Sequence, residues 1–172
     1  MAVFAVLTAA AAQVAIPVPG SPVPITLQTL VVLLAGVTLG PRLGALAMGF
    51  YLLLGTVGYH VFAAGTWGFQ TVAGATGGYL LGFVLAQPIV GRLTEPGRRV
   101  GLRVLAAALA GNVVIFAAGL LWLSAWMDAG LEQTLRMGFW PFVPGLVVKT
   151  ALATGLGSLL APTVRRWLDG CG

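Results

Sequence analysis

Six apolar stretches, separated by short breaks of proline, glycine and charge, divide this chain from one end to the other. They run over residues 2–16, 25–39, 43–59, 71–90, 100–126 and 142–161. A helix that crosses the hydrocarbon core of a bilayer needs about 20 apolar residues. Only 8% of the 172 residues are charged, whereas soluble domains carry roughly a quarter. We therefore predict an all-α integral membrane protein, with a single domain of six transmembrane helices in a lipid bilayer.

Positive charge is distributed unevenly between the two sets of loops. With six spans, the turn at 40–42, the polar hairpin at 91–99 and the C-terminus lie on one side of the membrane. The opposite loops carry one basic residue, Arg136. Because positive charge marks the cytoplasmic side, both termini are predicted to be cytoplasmic and the Pro-rich segment 17–24 to be outside. The arginines on the predicted cytoplasmic side are Arg42, Arg92, Arg98, Arg99, Arg103, Arg165 and Arg166.

The polar residues of the chain argue against an enzyme. Its four acidic residues all lie in loops or at the C-terminus, and it has one histidine and one cysteine. The predicted spans therefore hold no carboxylate pair, metal-ligand cluster or nucleophile–base arrangement, and no cofactor is expected. The chain also lacks the Gly-x-x-x-x-Gly-Lys-Ser/Thr sequence that binds ATP phosphates. Its basic residues are scattered rather than massed on one face, so nucleic acid is not a predicted partner.

Lys149 is the one charged residue deep inside a predicted span, since Arg103 lies at the cytoplasmic end of the fifth. A lysine at the centre of a transmembrane helix costs about 2.5–3.5 kcal/mol on insertion scales. Its stem could reach the outer interface by snorkelling, or its ammonium could face the bundle interior and pair with an anionic ligand. The residues four positions apart on the same face, Gly145, Ala153 and Gly157, are small and leave room beside the ammonium. This pattern favours the ligand-facing interpretation.

Other polar side chains are predicted at the same outer level as the lysine. Such groups could hydrogen-bond a small polar headgroup, although the same residue types near helix ends also satisfy backbone groups. Asn112 lies deeper, where an amide either joins helices or contacts a ligand. The candidates near the outer level are Thr26, Gln28, Gln70, Thr76 and Tyr79.

Small residues recur four positions apart in two spans. This spacing lets helices approach closely within lipid. Gly74, Gly78 and Gly82 are predicted to pack inside the bundle. For Ala5 and Ala9 in the first span, a docking face for another protein is the alternative to internal packing.

Four segments carry a more specific pattern. Residues 17–30 run from the Pro-rich segment into Ile-Thr-Leu-Gln-Thr-Leu, and residues 76–83 read Thr-Gly-Gly-Tyr-Leu-Leu-Gly-Phe. With residues 33–36 and 39–45, they resemble the BioY family, the biotin-specific substrate-binding (S) components of energy-coupling-factor (ECF) transporters. The resemblance implies a six-helix protein of a prokaryotic plasma membrane that captures biotin from outside. It also implies partners: a transmembrane coupling protein and two cytoplasmic ABC-type ATPases that drive release inward.

The resemblance implies roles for particular residues as well. Ala5 and Ala9 match an Ala-xxx-Ala face that docks on the coupling protein, and the loops at 17–24 and 59–70 would cover the ligand. The family's last helix usually opens Pro-Gly-Asp-x-x-Lys, whereas this chain reads Pro-Gly-Leu-Val-Val-Lys. Lys149 is kept, and Leu146 replaces the acid. This departure leaves an S component for a different vitamin as an alternative, beside a membrane bundle with no transport role.

Overall fold

The computed structural model describes residues 1–94 and 100–170, and helices make up most of that length. Two short strands, β1 (Ala15–Ile16) and β2 (Ile25–Thr26), pair antiparallel on either side of the Pro-rich segment. The predicted all-α membrane fold is confirmed. The helices are α1 (Ala2–Gln13), α2 (Gln28–Val57), α3 (Phe69–Ala73), α4 (Gly77–Leu93), α5 (Val100–Met127), α6 (Leu131–Gly138) and α7 (Val143–Gly170).

α2 is a hairpin of two helices rather than one straight rod. Gly40 interrupts it with a φ of 78°, in the left-handed region where glycine is favoured because it has no Cβ. Gln28 Nε2 donates a hydrogen bond to the Tyr51 hydroxyl at 2.6 Å, across a separation of 23 residues. In a straight helix those residues would lie about 35 Å apart. The two halves, residues 28–39 and 41–57, therefore lie side by side.

α4 packs between the α2 hairpin and α5. A Cβ atom on Gly82 would lie 2.9 Å from Cα of Ile115, and a Cβ on Gly78 would collide with Trp122. On the other side of α4, Gly36 of α2 has equally little room for a side chain. Glycine thus allows the backbones to approach on both faces, and the prediction that Gly78 and Gly82 pack internally is confirmed.

The first helix is shorter than the apolar stretch that predicts it. α1 ends at Gln13, and the next residues enter β1, where Ala15 is paired with Thr26. The helical conformation is disfavoured for the residue before a proline, so Pro17 favours a strand over further helical turns. The second stretch is shortened in the same way, because β2 precedes the start of α2 at Gln28.

The fourth stretch, predicted from residue 71, is helical in two pieces. Gly74 is extended, with a φ of −82° and a ψ of −170°. Its carbonyl accepts a hydrogen bond from Trp122 Nε1 at 2.9 Å. α3 therefore ends before Gly74, and α4 begins after it with Thr76 at its N-cap.

Arg165 of α7 closes the end of the bundle that contains the hairpin tip. Its guanidinium donates to Thr94 O at 2.7 Å and to Val37 O at 2.8 Å. Both carbonyls lie near helix C-termini, which carry partial negative charge. α7 continues past Pro162, although the sixth stretch was predicted to end at residue 161. An interior proline removes one backbone hydrogen bond, and the contacts of Arg165 hold the turns that follow.

In the part of the chain that the structure describes, three helical stretches are long and apolar enough, by length and composition, to cross a membrane: Gln28–Val57, Gly101–Met127 and Leu131–Leu168. The first is the α2 hairpin, and the third joins α6 to α7. α1 has 12 residues and α4 has 17, and 17 residues of helix extend about 25 Å. Counting the two halves of α2 separately and adding α1 and α4 gives six helical segments.

The arginines lie mostly at one end of the bundle. Arg42 follows the hairpin tip, Arg92 lies in the last turn of α4, and Arg165 bonds to the carbonyls there. Arg136 lies at the other end, in α6. This arrangement agrees with the two sides that the positive-inside pattern assigns. The predicted hairpin residues 95–99, with Arg98 and Arg99, lie outside the described residues.

Candidate ligand-binding site

A cavity lies at the end of the bundle that carries the Pro-rich segment. About 560 Å³ of space is free of protein atoms there, a figure that includes the open solvent at the mouth. Its wall is mainly apolar, with a few convergent polar groups. The polar residues that line it are Thr26, Gln28, Thr29, Thr76, Tyr79 and Lys149.

Aromatic rings form much of the apolar wall. Tyr79 packs edge-to-face on Phe116, with ring centroids 5.9 Å apart, and stacks on Phe142 at 6.5 Å. Phe62 and Phe83 add two further rings to the lining. Aromatic surfaces bury a large apolar area in fixed orientations. The wall therefore suits a compact, rigid and largely apolar ligand.

Tyr79 and Thr76 line the cavity from the start of α4, and their hydroxyls already have partners. The Tyr79 hydroxyl donates to Gly138 O at 2.8 Å and so holds α6 against α4. The Thr76 hydroxyl donates to Thr71 O at the longer distance of 3.4 Å. Tyr79, predicted as a polar ligand contact, offers the cavity its ring and a remaining lone pair rather than a donor.

Lys149 is buried, with 9% of its surface exposed, and lines the cavity. Its Nζ donates to Thr26 O at 3.0 Å, and its stem passes Gly145, with Cε 3.7 Å from the position of a Cβ there. An ammonium has three donors, so two remain beyond this bond for ligand oxygens. The same side chain borders an apolar surface groove along Leu27 and Val148. The ammonium therefore lies between helices, separating the cavity from that groove.

Thr26 and Gln28 are brought to the cavity by β2 and by the first turn of α2. Thr26 Oγ1 donates to Gln28 Oε1 at 2.9 Å. Gln28 Nε2 in turn donates to the Tyr51 hydroxyl at 2.6 Å. The two side chains predicted as separate ligand contacts thus form one hydrogen-bonded unit, whose geometry is fixed before a ligand arrives.

Thr29 is a lining residue that the sequence did not single out. Its Oγ1 is buried and has no hydrogen-bond partner within residues 1–94 and 100–170. An unsatisfied buried hydroxyl costs about 1–3 kcal/mol, which a ligand that supplies the partner would recover. Its position directly after Gln28 was the available signal. The lining phenylalanines carried no such signal, because an apolar ring in a membrane helix is equally consistent with lipid contact.

Two predicted site residues lie away from the cavity. Asn112 Nδ2 donates to Thr150 Oγ1 at 2.9 Å and so joins α5 to α7, which is the interhelical alternative for this amide. Gln70 is exposed on α3 and borders a separate surface depression beside Trp67. The break at Gly74 turns α3 out of the line of α4, which explains why Gln70 does not accompany Thr76.

Ala5 also differs from its predicted role as a docking residue. It is 1% exposed, on the inner face of α1. Thr8, one turn further along that face, makes a 3.9 Å contact from Oγ1 to Met48 Sδ of α2. The small side chain of Ala5 therefore allows α1 to pack closely within its own bundle, and a partner cannot reach it on this surface. Ala9 is half-buried.

The two loops predicted to cover a ligand both contribute to the cavity wall. The Pro-rich segment supplies Val23 and Pro24, and the connection between α2 and α3 supplies Phe62 and Ala63. Ser21 Oγ donates to a backbone carbonyl of α6 at 2.7 Å. The Pro-rich segment is therefore fixed over the cavity from the α6 side.

Comparisons with known proteins agree with this architecture. The chain matches the BioY family over residues 1–166. It is 37% identical over 153 residues to the probable biotin transporter BioY of Pyrococcus horikoshii, a match that covers 89% of this chain and 88% of the relative. It is 36% identical over 151 residues to the biotin transporter BioY of Thermotoga maritima, covering 88% and 87%.

The fold matches a solved structure as well. That structure is the crystal structure of the S-component for biotin from an ECF-type ABC transporter, with a TM-score of 0.85 and 26% sequence identity. The match covers 92% of this chain and 87% of the other. Since sequence and fold agree along nearly the whole length, with the Pro-rich segment and the lysine of the last helix in place, the chain belongs to the BioY family.

Proposed function

We propose that this protein is the biotin-binding S component of an ECF-type vitamin transporter in the plasma membrane, and that it captures biotin at the extracellular side. The observation that carries the proposal is the cavity beneath the Pro-rich segment, with its aromatic wall and the buried ammonium of Lys149. Family membership and the similarity to biotin transporters of Pyrococcus horikoshii and Thermotoga maritima support the choice of ligand.

The chemistry of biotin matches this wall. Biotin combines a compact ureido ring, an apolar bicycle and an alkyl chain that ends in a carboxylate. The rings around Tyr79 suit the bicycle, and the hydroxyl and amide groups of Thr26, Gln28 and Thr29 suit the ureido group. The remaining donors of Lys149 bind an oxygen, either of the carboxylate or of the ureido carbonyl.

Uptake on this proposal needs partner subunits. The chain has no phosphate-binding loop, so ATP hydrolysis is supplied by two cytoplasmic ATPases through a transmembrane coupling protein. The protein acts as a binding subunit rather than as an enzyme. With Ala5 buried, Ala9 is the predicted docking residue that still reaches the surface of α1.

A binding assay on the detergent-purified protein tests the ligand. Radiolabelled biotin should be retained and displaced by unlabelled biotin, whereas a hundredfold excess of riboflavin or thiamine should not displace it. Tight retention of another vitamin without biotin would establish the alternative S component that Leu146 leaves open. Retention of no vitamin would favour a bundle without a transport role.

A further inference from the structure

A series of hydrogen bonds, which passes through the backbone and the side chain of Thr26, connects the buried lysine to the loop that covers the cavity. Lys149 Nζ donates to Thr26 O at 3.0 Å, and Thr26 Oγ1 donates to Gln28 Oε1 at 2.9 Å. Gln28 Nε2 donates to the Tyr51 hydroxyl at 2.6 Å. That hydroxyl donates in turn to Val61 O at 3.0 Å. These hydrogen bonds thus run from α7 through both halves of α2 to the connection that follows them.

The last acceptor fixes the direction of the side-chain hydrogen bonds. A backbone carbonyl can only accept, so the Tyr51 hydroxyl must give its single proton to Val61 O. It must then accept from Gln28, which places the amide nitrogen towards Tyr51 and the amide oxygen towards Thr26. The hydroxyl proton of Thr26 is committed to that oxygen. Thr26 Oγ1 also accepts from Gln28 N at 3.4 Å, so Thr26 Oγ1 and Gln28 Oε1 each keep one lone pair, which suits an N–H donor of a ligand.

The covering segment, residues 59–66, is called here the Phe62 loop. Phe62 is fully buried and packs edge-to-face on Tyr51, with ring centroids 5.6 Å apart. Its ring fills the space where a side chain at Gly55 would lie. The loop is closed on itself by Phe62 N donating to Thr66 O at 3.1 Å. Tyr51 therefore holds this loop in two ways, by its ring and by its hydroxyl.

We propose that Tyr51 is a positioning residue for ligand binding, an inference that rests on the proposed function. Its hydroxyl holds the Phe62 loop over the cavity and orients Gln28 and Thr26 so that their lone pairs face the ureido N–H groups. Tyr51 acts without lining the cavity itself, since it is 1% exposed and lies behind Gln28. Loss of the hydroxyl leaves Val61 O without this donor and lets the Gln28 amide rotate.

Tyr51→Phe tests this role, since it removes the hydroxyl and keeps the ring. Dissociation of radiolabelled biotin should become at least ten times faster, while the association rate changes less than threefold. The matched control is Thr38→Val. Thr38 is also fully buried, but its hydroxyl donates only within its own helix, to Leu34 O at 2.7 Å. This variant should dissociate at the wild-type rate.

A second measurement follows the Phe62 loop in the absence of ligand. Ala63 is half-buried in the cavity wall, so a Cys171→Ser, Ala63→Cys protein reacts with a maleimide when the loop lifts. Adding Tyr51→Phe should speed that reaction at least fivefold. Gly55→Ala is the positive control, because its Cβ would lie 2.6 Å from Cε2 of Phe62 and displace the ring.

The two measurements separate the outcomes. If the wild-type protein does not retain biotin, the proposed function fails, and faster labelling in Tyr51→Phe would still establish the hold on the loop. Unchanged labelling together with unchanged dissociation overturns the inference, as does a loss of affinity that lies wholly in the association rate. If the Tyr51→Phe protein is not monodisperse, labelling is measured in a protein that carries both Tyr51→Phe and Gln28→Leu. The leucine leaves no unpaired amide against the phenylalanine ring at position 51.

Discussion

A lysine inside a membrane-spanning bundle is tolerated when oxygen atoms surround its ammonium. For Lys149 the described residues supply one such atom, Thr26 O at 3.0 Å, and no acidic side chain is among the residues that line its cavity. Isolated charges are costly to bury unless they are paired and hydrogen-bonded. A ligand oxygen that completes the shell of the ammonium would therefore gain more there than at the protein surface.

We expect Lys149→Ala to weaken biotin binding at least tenfold, which corresponds to about 1.4 kcal/mol. The substitution removes both donors that face the ligand. Arg136→Ala is the matched control, since its side chain is 79% exposed at the same end of the bundle and should leave the Kd unchanged. Isothermal titration calorimetry in detergent measures the Kd of both variants. An unaltered Kd for Lys149→Ala would mean that the ammonium bonds to the protein backbone and not to the ligand.

Thr29 allows a cleaner test of a single hydroxyl. Valine has nearly the same shape as threonine, and Oγ1 has no partner to lose within the described residues. We therefore expect Thr29→Val to leave the melting temperature unchanged or slightly raised while it weakens biotin binding about fivefold to tenfold, near 1–1.4 kcal/mol. Thr29→Ser should bind almost as the wild type does. Equal affinity in the valine variant would show that this hydroxyl does not meet the ligand.

At the scale of elements, the α2 hairpin is the part of the fold on which the others depend. Its tip packs on α4 at Gly91, where a Cβ would lie 2.6 Å from the carbonyl carbon of Gly40 and closer still to Pro41. These neighbours are backbone and ring atoms, which cannot rotate away as a flexible side chain can. The close approach of α4 to the tip is what aligns its start, with Tyr79, beside the cavity.

Gly91→Ala should destabilise the bundle for this reason. Overpacking a tight contact costs about 1–3 kcal/mol, and in a domain of this size each kcal/mol lowers the melting temperature by about 2–4 °C. Gly101→Ala is the matched control, because the nearest atom to its Cβ is Ser158 Oγ at 3.8 Å. In a helix that change is neutral or stabilising. Thermal unfolding in detergent should rank Gly91→Ala below the wild type and Gly101→Ala at or above it.

Local chemistry in the sequence predicted some element boundaries and not others. The prolines of segment 17–24 and the Gly40-Pro41 pair identified breaks correctly. Four prolines in eight residues remove too many backbone donors for a helix, and glycine is favoured in the left-handed conformation at the hairpin tip. The break at Gly74 was missed, since an isolated glycine in an apolar run is also compatible with continuous helix. The end of α7 was placed too early at Pro162, because the contacts that Arg165 makes with distant carbonyls are invisible in a local pattern.

For the whole molecule, the sequence predicted the polar half of the cavity better than its apolar half. Thr26, Gln28, Thr76, Tyr79 and Lys149 stood out against an apolar background, and all of them line the cavity. Asn112 and Gln70 stood out equally, but neither of them lines the cavity. Polarity alone cannot distinguish a ligand contact from a bond between helices. The lining rings did not stand out, because in a bundle surrounded by lipid both faces of a helix are apolar.

The uneven distribution of arginines gives a final prediction about the molecule as a whole. If positive charge marks the cytoplasmic side, the end with Arg42 and Arg165 faces the cytoplasm, and α6 faces outward. Glu132 of α6 has a side chain that is 93% exposed, so a membrane-impermeant maleimide should label a Glu132→Cys, Cys171→Ser protein on intact cells. The natural Cys171, near the predicted cytoplasmic C-terminus, should react only after permeabilisation. The reverse order would invert the topology and place the cavity on the cytoplasmic side, and labelling of both sites on intact cells would require an odd number of spans.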